Sequence, residues 1–217
     1  KYPKCKVIFG GLGNPNKNRL DNFFEENDYI DIVVNGEGEL TFEHILVESL
    51  KDEPNYKNVE GISTRDFITN DRQRIKDIDS MPSPYLDGLF NKIIDGSSAV
   101  FESTIESVRG CPYQCTFCEI GDKYFQKISR QSNEKVFAEL DWISKNKIRL
   151  VYNADSNFGL LPEHIDIAKH ISNLKNKTGY PEMMNLDWAK SKADKVVELA
   201  RILTKSKLLK GITIALQ

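Results

Sequence analysis

The sequence predicts an α/β fold made of two blocks in which strands and helices alternate. In the first block, "KCKVIFGG" and "YIDIVVNGEGE" are short apolar runs that end in glycine turns, and each precedes a segment with apolar residues at helical spacing. In the second block, which starts at Ala99, the same alternation recurs to the end of the sequence. Alternation of this kind predicts parallel sheets with right-handed crossovers.

The first block, residues 1–52, predicts two strands and two helices, the helices lying near 20–24 and 40–51. Two strands are too few for a stable doubly wound domain, so we expect further strands to precede this sequence. The interval 53–98 is predicted as a linker, because its pattern is broken and "DIDSMPSPYLDG" carries two prolines. Within it, "GISTRDFITNDRQRI" predicts a small hairpin.

The second block, residues 99–217, predicts four strands with a helix after each of the first three. The strands are "AVFESTIESVRG", "IRLVYNADSNFG", "EMMNLDWAKS" and "GITIALQ". The helices are predicted around 136–143, after Pro162, and after Ser191, which forms a capping box with Asp194. A complete eight-stranded barrel takes about 250 residues, so this block is about half of one.

Composition excludes several classes of partner. The net charge is −2 with 29% charged residues, which provides no field for attracting nucleic acid or an anionic membrane. No apolar stretch approaches the roughly 20 residues of a spanning helix, and no signal peptide opens the sequence. Four cysteines, three of them clustered, are unlike a secreted disulfide scaffold, so we expect a cytoplasmic protein.

The histidines, all on predicted helices, are expected to be packed or surface side chains: His44, His164 and His170.

Three of the four cysteines, Cys111, Cys115 and Cys118, form a C-x3-C-x2-C motif after a predicted strand. Their loop is therefore placed at the carboxyl end of the barrel strands, where active sites sit. Three thiolates can converge on one soft metal centre, and three ligands to a four-iron cluster leave one iron open. Structural zinc normally needs a fourth ligand, and Cys5 is available. A non-catalytic, zinc-stapled binding module therefore stays open as an alternative, whereas an odd number of thiols disfavours disulfides.

The motif "CPYQCTFC", after the first strand of a half-barrel, resembles that of the radical S-adenosylmethionine (SAM) superfamily. The resemblance implies that Cys111, Cys115 and Cys118 hold a 4Fe-4S cluster whose fourth iron binds the amine and carboxylate of SAM. It further implies reductive cleavage of SAM to a radical, a small-molecule substrate, and an electron donor such as flavodoxin or ferredoxin. Phe117 matches the aromatic residue near the adenine.

The resemblance also implies further SAM contacts. After the second strand the family commonly has Gly-Gly-Glu, and this sequence has "NADSNFG". Asp155 is the predicted acceptor for the SAM amine, with Ser156 and Asn157 as neighbours. Arg130 is predicted to bind the SAM carboxylate with two hydrogen bonds, and Gln217 to meet the ribose. Two alternatives stay open: Asp155 caps a helix or stiffens its loop, and Arg130 is a solvated charge at a helix end.

The first block resembles the C-terminal part of a Rossmann-like, flavodoxin-like cobalamin-binding domain, through "VIFGG", "DIVVNGEGELTF" and the following "MPSPYLDGLF". The resemblance implies that Gly10, Gly11, Gly36, Glu37 and Gly38 lie against the nucleotide tail of cobalamin. One departure is "GGLGNP", where the family often continues with Pro-His. The sequence thus predicts a cobalamin-dependent radical SAM enzyme, a methyltransferase acting on carbon or an enzyme that forms or rearranges rings. A radical SAM enzyme without cobalamin is the alternative.

Overall fold

A computed structural model describes residues 5–15, 17–118, 120 and 123–211 of the chain. The chain divides into two compact units, Lys1–Lys76 and Asp77–Gln217. Each unit is a small β-sheet with helices packed against it, so the predicted α/β class is confirmed. The interval 53–98, predicted as a linker, is divided between the two units. Among the described residues, no helix has both the length and the hydrophobicity needed to cross a membrane.

The first unit is a three-stranded sheet with a helix on each face. Its elements are β1 (Ile8–Phe9), α1 (Leu20–Glu26), β2 (Ile32–Val34), α2 (Glu39–Ser49) and β3 (Ile62–Ser63). The central strand β2 pairs in parallel with β1 and antiparallel with β3. Successive strand residues face opposite sides, so Val33 packs with α1 residues while Ile32 and Val34 pack with Ile45 of α2.

The hairpin predicted within the linker interval is present, and its first strand completes this sheet. An antiparallel bridge joins Ser63 to Ile68 across the turn. In that turn, the Arg65 guanidinium donates to the backbone carbonyls of Asn27 (3.1 Å) and Ile30 (3.3 Å), beyond the end of α1. The sequence indicates the hairpin but not the strand with which it pairs, because β2 and β3 are far apart in the sequence.

The second unit combines a three-stranded parallel sheet with three long helices and a two-stranded hairpin. The predicted strands and helices are present in order up to residue 205, with the two-stranded hairpin inserted after the first strand. "GITIALQ", including Gln217, lies outside the described residues from residue 212 onward. The elements are α3 (Asn91–Ile94), β4 (Glu102–Ile105), β5 (Val108–Arg109), β6 (Ser129–Arg130), α4 (Asn133–Lys145), β7 (Leu150–Asn153), α5 (His164–Thr178), β8 (Met183–Asn185) and α6 (Ala193–Lys205).

The start of α6 differs from the prediction. The helix begins at Ala193, and the preceding Lys192 has a left-handed backbone (φ 67°) with no side-chain cap. The capping box of Ser191 and Asp194 is therefore wrong. Instead, the Ser191 hydroxyl shares a hydrogen bond with the hydroxyl of Tyr113, in the cysteine loop. The Ser191 side chain therefore makes a tertiary contact with the cysteine loop and does not cap α6.

The second half of the predicted linker is bound to α4. The Asp79 carboxylate accepts from the Ser132 N–H (2.9 and 3.0 Å), at the N-cap of α4. The Lys135 ammonium donates to the carbonyls of Asp79 (3.1 Å) and Met81 (2.5 Å). These contacts fix the start of this segment against α4.

Replacing Glu139 with glutamine is expected to stabilise the second unit at neutral pH. Glu139 of α4 is 5% exposed, and burial raises the pKa of its carboxyl despite a hydrogen bond from Ser83 and the nearby Lys135. Because the folded pKa lies above the unfolded one, stability is full at low pH and falls as pH rises toward the folded pKa. Denaturant unfolding from pH 4 to 8 tests this. The variant should gain stability at pH 7 and match the parent near pH 4; an equal difference at both pH values would contradict the prediction.

Candidate functional site: the cysteine loop

The cysteine loop begins where β5 ends and returns at β6. These two strands pair antiparallel, Val108 with Arg130 and Arg109 with Ser129, in a hairpin that the sequence did not predict. Inside the loop, Cys111 N–H donates to the Phe125 carbonyl at 2.8 Å. The hairpin therefore holds the first cysteine at the mouth of the loop, next to the carboxyl end of β4.

Gly110 allows this tight entry. Its φ is +105°, a backbone conformation that side chains disfavour. A Cβ at this position would lie 2.7 Å from the backbone carbonyl oxygens of both Phe125 and Lys127. Only glycine therefore lets the chain enter the loop so close to its returning strand.

The three cysteines differ in exposure. Cys111 is 6% exposed, whereas Cys115 and Cys118 are half-buried. None of the three forms a disulfide bond. A local turn orders the later part of the motif, because Cys118 N–H donates to the Cys115 carbonyl at 3.1 Å.

The three sulfurs share one loop but are not gathered around one point. Within the described ranges, no three His, Cys, Asp or Glu side chains are grouped so as to hold a metal ion. The donor set nevertheless fits an iron–sulfur cluster, since three reduced thiols lie within eight residues of one loop and thiolates are the ligands of such clusters. Metal binding commonly completes the order of its own site.

Asp155, just after β7, ties the second strand of the sheet to the entry of the cysteine loop. One carboxylate oxygen accepts from the N–H groups of Ser107 (2.7 Å) and Val108 (2.9 Å), and the other accepts from the Ser107 hydroxyl. The residue is 1% exposed. With its carboxylate buried and bonded inside the protein, Asp155 does not suit the predicted role of acceptor for the SAM amine. Its geometry matches the alternative in which it stiffens the loop.

His164 completes the buried surroundings of Asp155. Its Nδ1 accepts from the Gly159 N–H at 2.6 Å, so the neutral ring carries its proton on Nε2. That nitrogen lies 3.4 Å from Asp155 Oδ2 and has no hydrogen-bond partner among the described residues. The ring also stacks on Phe158 at 4.5 Å. His164 is thus a packed histidine, as predicted, but it contacts the loop network, which its position on a helix did not reveal.

Asn157 reaches the cysteine loop directly. It is 4% exposed, and its amide Nδ2 lies 3.1 Å from Cys111 Sγ. Its Oδ1 is buried and has no hydrogen-bond partner in the part of the chain described here. Ser156, the other predicted neighbour, is half-buried. The loop after β7 therefore offers one bonded carboxylate and one open buried acceptor.

Phe117 and Arg130, two other predicted SAM contacts, lie at the surface. Phe117 is 77% exposed. The Arg130 side chain is 63% exposed and is paired with Glu163. The alternative of a solvated charge is therefore confirmed, but its position at a helix end is wrong, because Arg130 belongs to strand β6. The structure thus brings Asn157 to a cysteine and leaves these two side chains outside the buried network.

In the first unit, the predicted glycine positions follow the two parallel strands. Gly10 and Gly11 come after β1, and Gly36 and Gly38 come after β2, so both turns lie at the carboxyl edge of the sheet. Gly11 (φ +96°) and Gly36 (φ +75°) have positive φ angles that favour glycine. A Cβ on Gly11 or Gly38 would meet nothing within 4 Å, so these backbones are open to a ligand.

Glu37 lies between these glycines but points into the protein. Its carboxylate accepts from the Arg74 guanidinium (3.0 Å) and from the Ile75 N–H (2.6 Å), and its side chain is 8% exposed. The Glu37 carboxylate is therefore not suited to the predicted contact with the cobalamin tail, because it already binds Arg74 and Ile75 in the segment after the hairpin.

Sequence comparison finds relatives over the whole chain, although no protein-family model matches it. The chain is 30% identical to the cobalamin-dependent radical SAM methyltransferase TokK of Streptomyces tokunonensis, over 228 aligned positions that cover 100% of the chain and 33% of TokK. It is 31% identical to the 2-(S-pantetheinyl)-carbapenam-3-carboxylate methyltransferase of Streptantibioticus cattleyicolor, with the same two coverages. The chain thus spans one third of the length of these relatives.

Structure comparison also finds a radical SAM methyltransferase. The radical SAM methyltransferase TsrM from Kitasatospora setae, solved with cobalamin and a [4Fe-4S] cluster, superimposes with a TM-score of 0.57. The match covers 92% of this chain and 40% of TsrM at 14% identity, so it supports the fold alone. The sequence relatives by themselves show that this chain is a homologue of part of the cobalamin-dependent radical SAM methyltransferases, corresponding to one third of TokK.

Proposed function

We propose that the protein containing this chain is a radical SAM enzyme that uses cobalamin and transfers a methyl group to carbon in a small-molecule substrate. The observation that carries the proposal is the loop after β5, which holds three reduced cysteines in a C-x3-C-x2-C motif. The names of the two sequence relatives support the choice of methyl transfer. An electron donor such as flavodoxin or ferredoxin would supply the reducing electron.

In this proposal, the two units are the C-terminal part of a cobalamin-binding Rossmann-like domain and the N-terminal half of a radical SAM barrel. The strand order of the second unit, β4-β7-β8 with helices between consecutive strands, suits the start of such a barrel. The open backbones of Gly11 and Gly38, at the carboxyl edge of the first sheet, would allow a bulky tail to approach closely.

Cys111, Cys115 and Cys118 would hold a 4Fe-4S cluster, which supplies the electron for reductive cleavage of SAM. The hairpin of β5 and β6 would orient the first of these ligands, and Asp155 would keep the loop entry rigid. Asn157 Oδ1, a buried acceptor without a described partner, suits the SAM amine better than the bonded Asp155 carboxylate. Phe117, because it is exposed, remains available to cover the adenine.

The test is metal loading of cysteine variants. The protein, expressed from its complete coding sequence and reconstituted with iron and sulfide without oxygen, is expected to bind about four irons and four sulfides. Cys115→Ala should lose most of this iron, because only two thiolates of the loop remain. Cys5→Ala is the matched control, since Cys5 is an exposed thiol of the first unit. Iron, sulfide and zinc are measured for all three proteins.

Each outcome separates the competing functions. Equal iron in Cys115→Ala and the parent would remove the cysteine loop from the mechanism. One zinc without sulfide would instead identify the zinc-stapled binding module. Bound corrin, measured in the same preparation by its absorption, distinguishes the cobalamin-dependent enzyme from a radical SAM enzyme that lacks cobalamin.

A further inference from the structure

We infer that the Asn157 side chain is a positioning residue that raises the reduction potential of the proposed cluster through an N–H···S hydrogen bond to Cys111. The inference rests on the proposed function, because it requires that Cys111 be a cluster ligand. Its structural basis is the 3.1 Å contact between Asn157 Nδ2 and Cys111 Sγ. The two residues are 46 positions apart in sequence, so the contact is made by the fold.

This contact lies in the buried part of the cysteine loop. Cys111 is the buried thiol of the motif, and Asn157 is buried as well, at 4% exposure. Water therefore competes weakly for the sulfur, and a hydrogen bond shielded from solvent is stronger electrostatically. Cys115 and Cys118 are half-buried and belong to the wetter side of the loop.

The segment that carries the Asn157 side-chain amide is held in place by its neighbours. Phe158, the next residue, is fully buried, and its N–H donates to the Asp187 carbonyl at 2.7 Å. Gly159 follows and donates to the His164 ring. On the other side, Asp155 is bonded to Ser107 and Val108. The short segment carrying Asn157 is thus fixed at both ends.

The expected effect follows from charge. One-electron reduction makes a cluster more negative, and a donor aimed at a ligand sulfur stabilises the more negative state. Hydrogen bonds to the sulfurs are among the factors that set cluster potentials. Removing this donor is therefore expected to lower the potential and make the cluster harder to reduce.

The test measures the midpoint potential of the reconstituted cluster by redox titration followed by electron paramagnetic resonance. Asn157→Leu removes the donor at similar volume, and Asn157→Asp replaces it with a carboxylate of the same shape. Both variants should show at least a tenfold lower ratio of reduced to oxidised cluster at a fixed solution potential, about 59 mV for one electron. Asn157→Asp should show the larger shift. Asn185→Asp, the same change at an exposed position of β8, should leave the potential unchanged.

Each result decides the inference. An unchanged potential in Asn157→Leu would overturn it, even if Asn157→Asp shifts, because the shift would then come from charge alone. If Asn157→Leu does not fold, as judged by circular dichroism, a potential in Asn157→Asp equal to that of Asn185→Asp would overturn it. Folded variants that bind no iron would also overturn it, because the residue would then build the site rather than tune it. Failure of the parent protein to bind iron would instead refute the proposed function.

Discussion

Gly110→Ala is expected to displace the entry of the cysteine loop and to destabilise the second unit by about 2–5 kcal/mol. The positive φ of Gly110 costs an alanine about 1–2 kcal/mol. The added Cβ would also lie 2.7 Å from two backbone carbonyl oxygens, on Phe125 and Lys127, and such overpacking costs about 1–3 kcal/mol. Backbone atoms cannot rotate away as a flexible side chain can, so the hairpin itself must shift.

Gly96→Ala is the matched control for this prediction. Gly96 also has a positive φ (+76°), but a Cβ there would meet nothing within 4 Å. Its loss of stability in denaturant unfolding thus reports the cost of the backbone conformation without the clash. The iron bound after reconstitution should fall in Gly110→Ala and stay at the parent level in Gly96→Ala. Equal losses of stability in the two variants would show that the close approach at Gly110 is unimportant.

Asp155→Ala is expected to cost about 3–5 kcal/mol of stability. The substitution leaves three donors without their acceptor, namely the N–H groups of Ser107 and Val108 and the Ser107 hydroxyl. Ser107 and Val108 are both buried. A hydrogen bond to a charged group contributes about 1.5–3 kcal/mol, and a buried donor that loses its acceptor costs a similar amount. Asp155→Asn should lose less, because one carbonyl oxygen remains to accept.

Asp141→Ala serves as the control for removing a carboxylate. Asp141 pairs with His170 at 2.8 Å, but its side chain is 58% exposed, so the pair contributes at most about 1 kcal/mol. Urea unfolding of the two variants gives the comparison. If Asp155→Ala loses no more stability than Asp141→Ala, the network around Asp155 does not support the loop.

Periodicity along the chain predicted helix α4 correctly. Val136, Leu140 and Ile143 share one face in any helix, and all three are fully buried in the core of the second unit. The alternation of strands and helices likewise predicted the parallel pairings of β1 with β2 and of β4, β7 and β8, because buried strands and amphipathic helices carry their patterns within a few adjacent residues. It did not predict the antiparallel pairing of β3 with β2. The same local reasoning failed at Ser191, whose hydroxyl bonds to Tyr113 instead of capping α6.

The candidate site divides in the same way. Cys111, Cys115 and Cys118 lie within eight consecutive residues, so their spacing alone predicts the donor set and the chemistry of the loop. The contacts of Asp155 and Asn157, in contrast, depend on the fold. Their partners lie 46 to 48 positions away and meet them only because β4 and β7 are neighbours in a parallel sheet. Such long-range contacts depend on how the strands pair, so they cannot be predicted from a local pattern of residues.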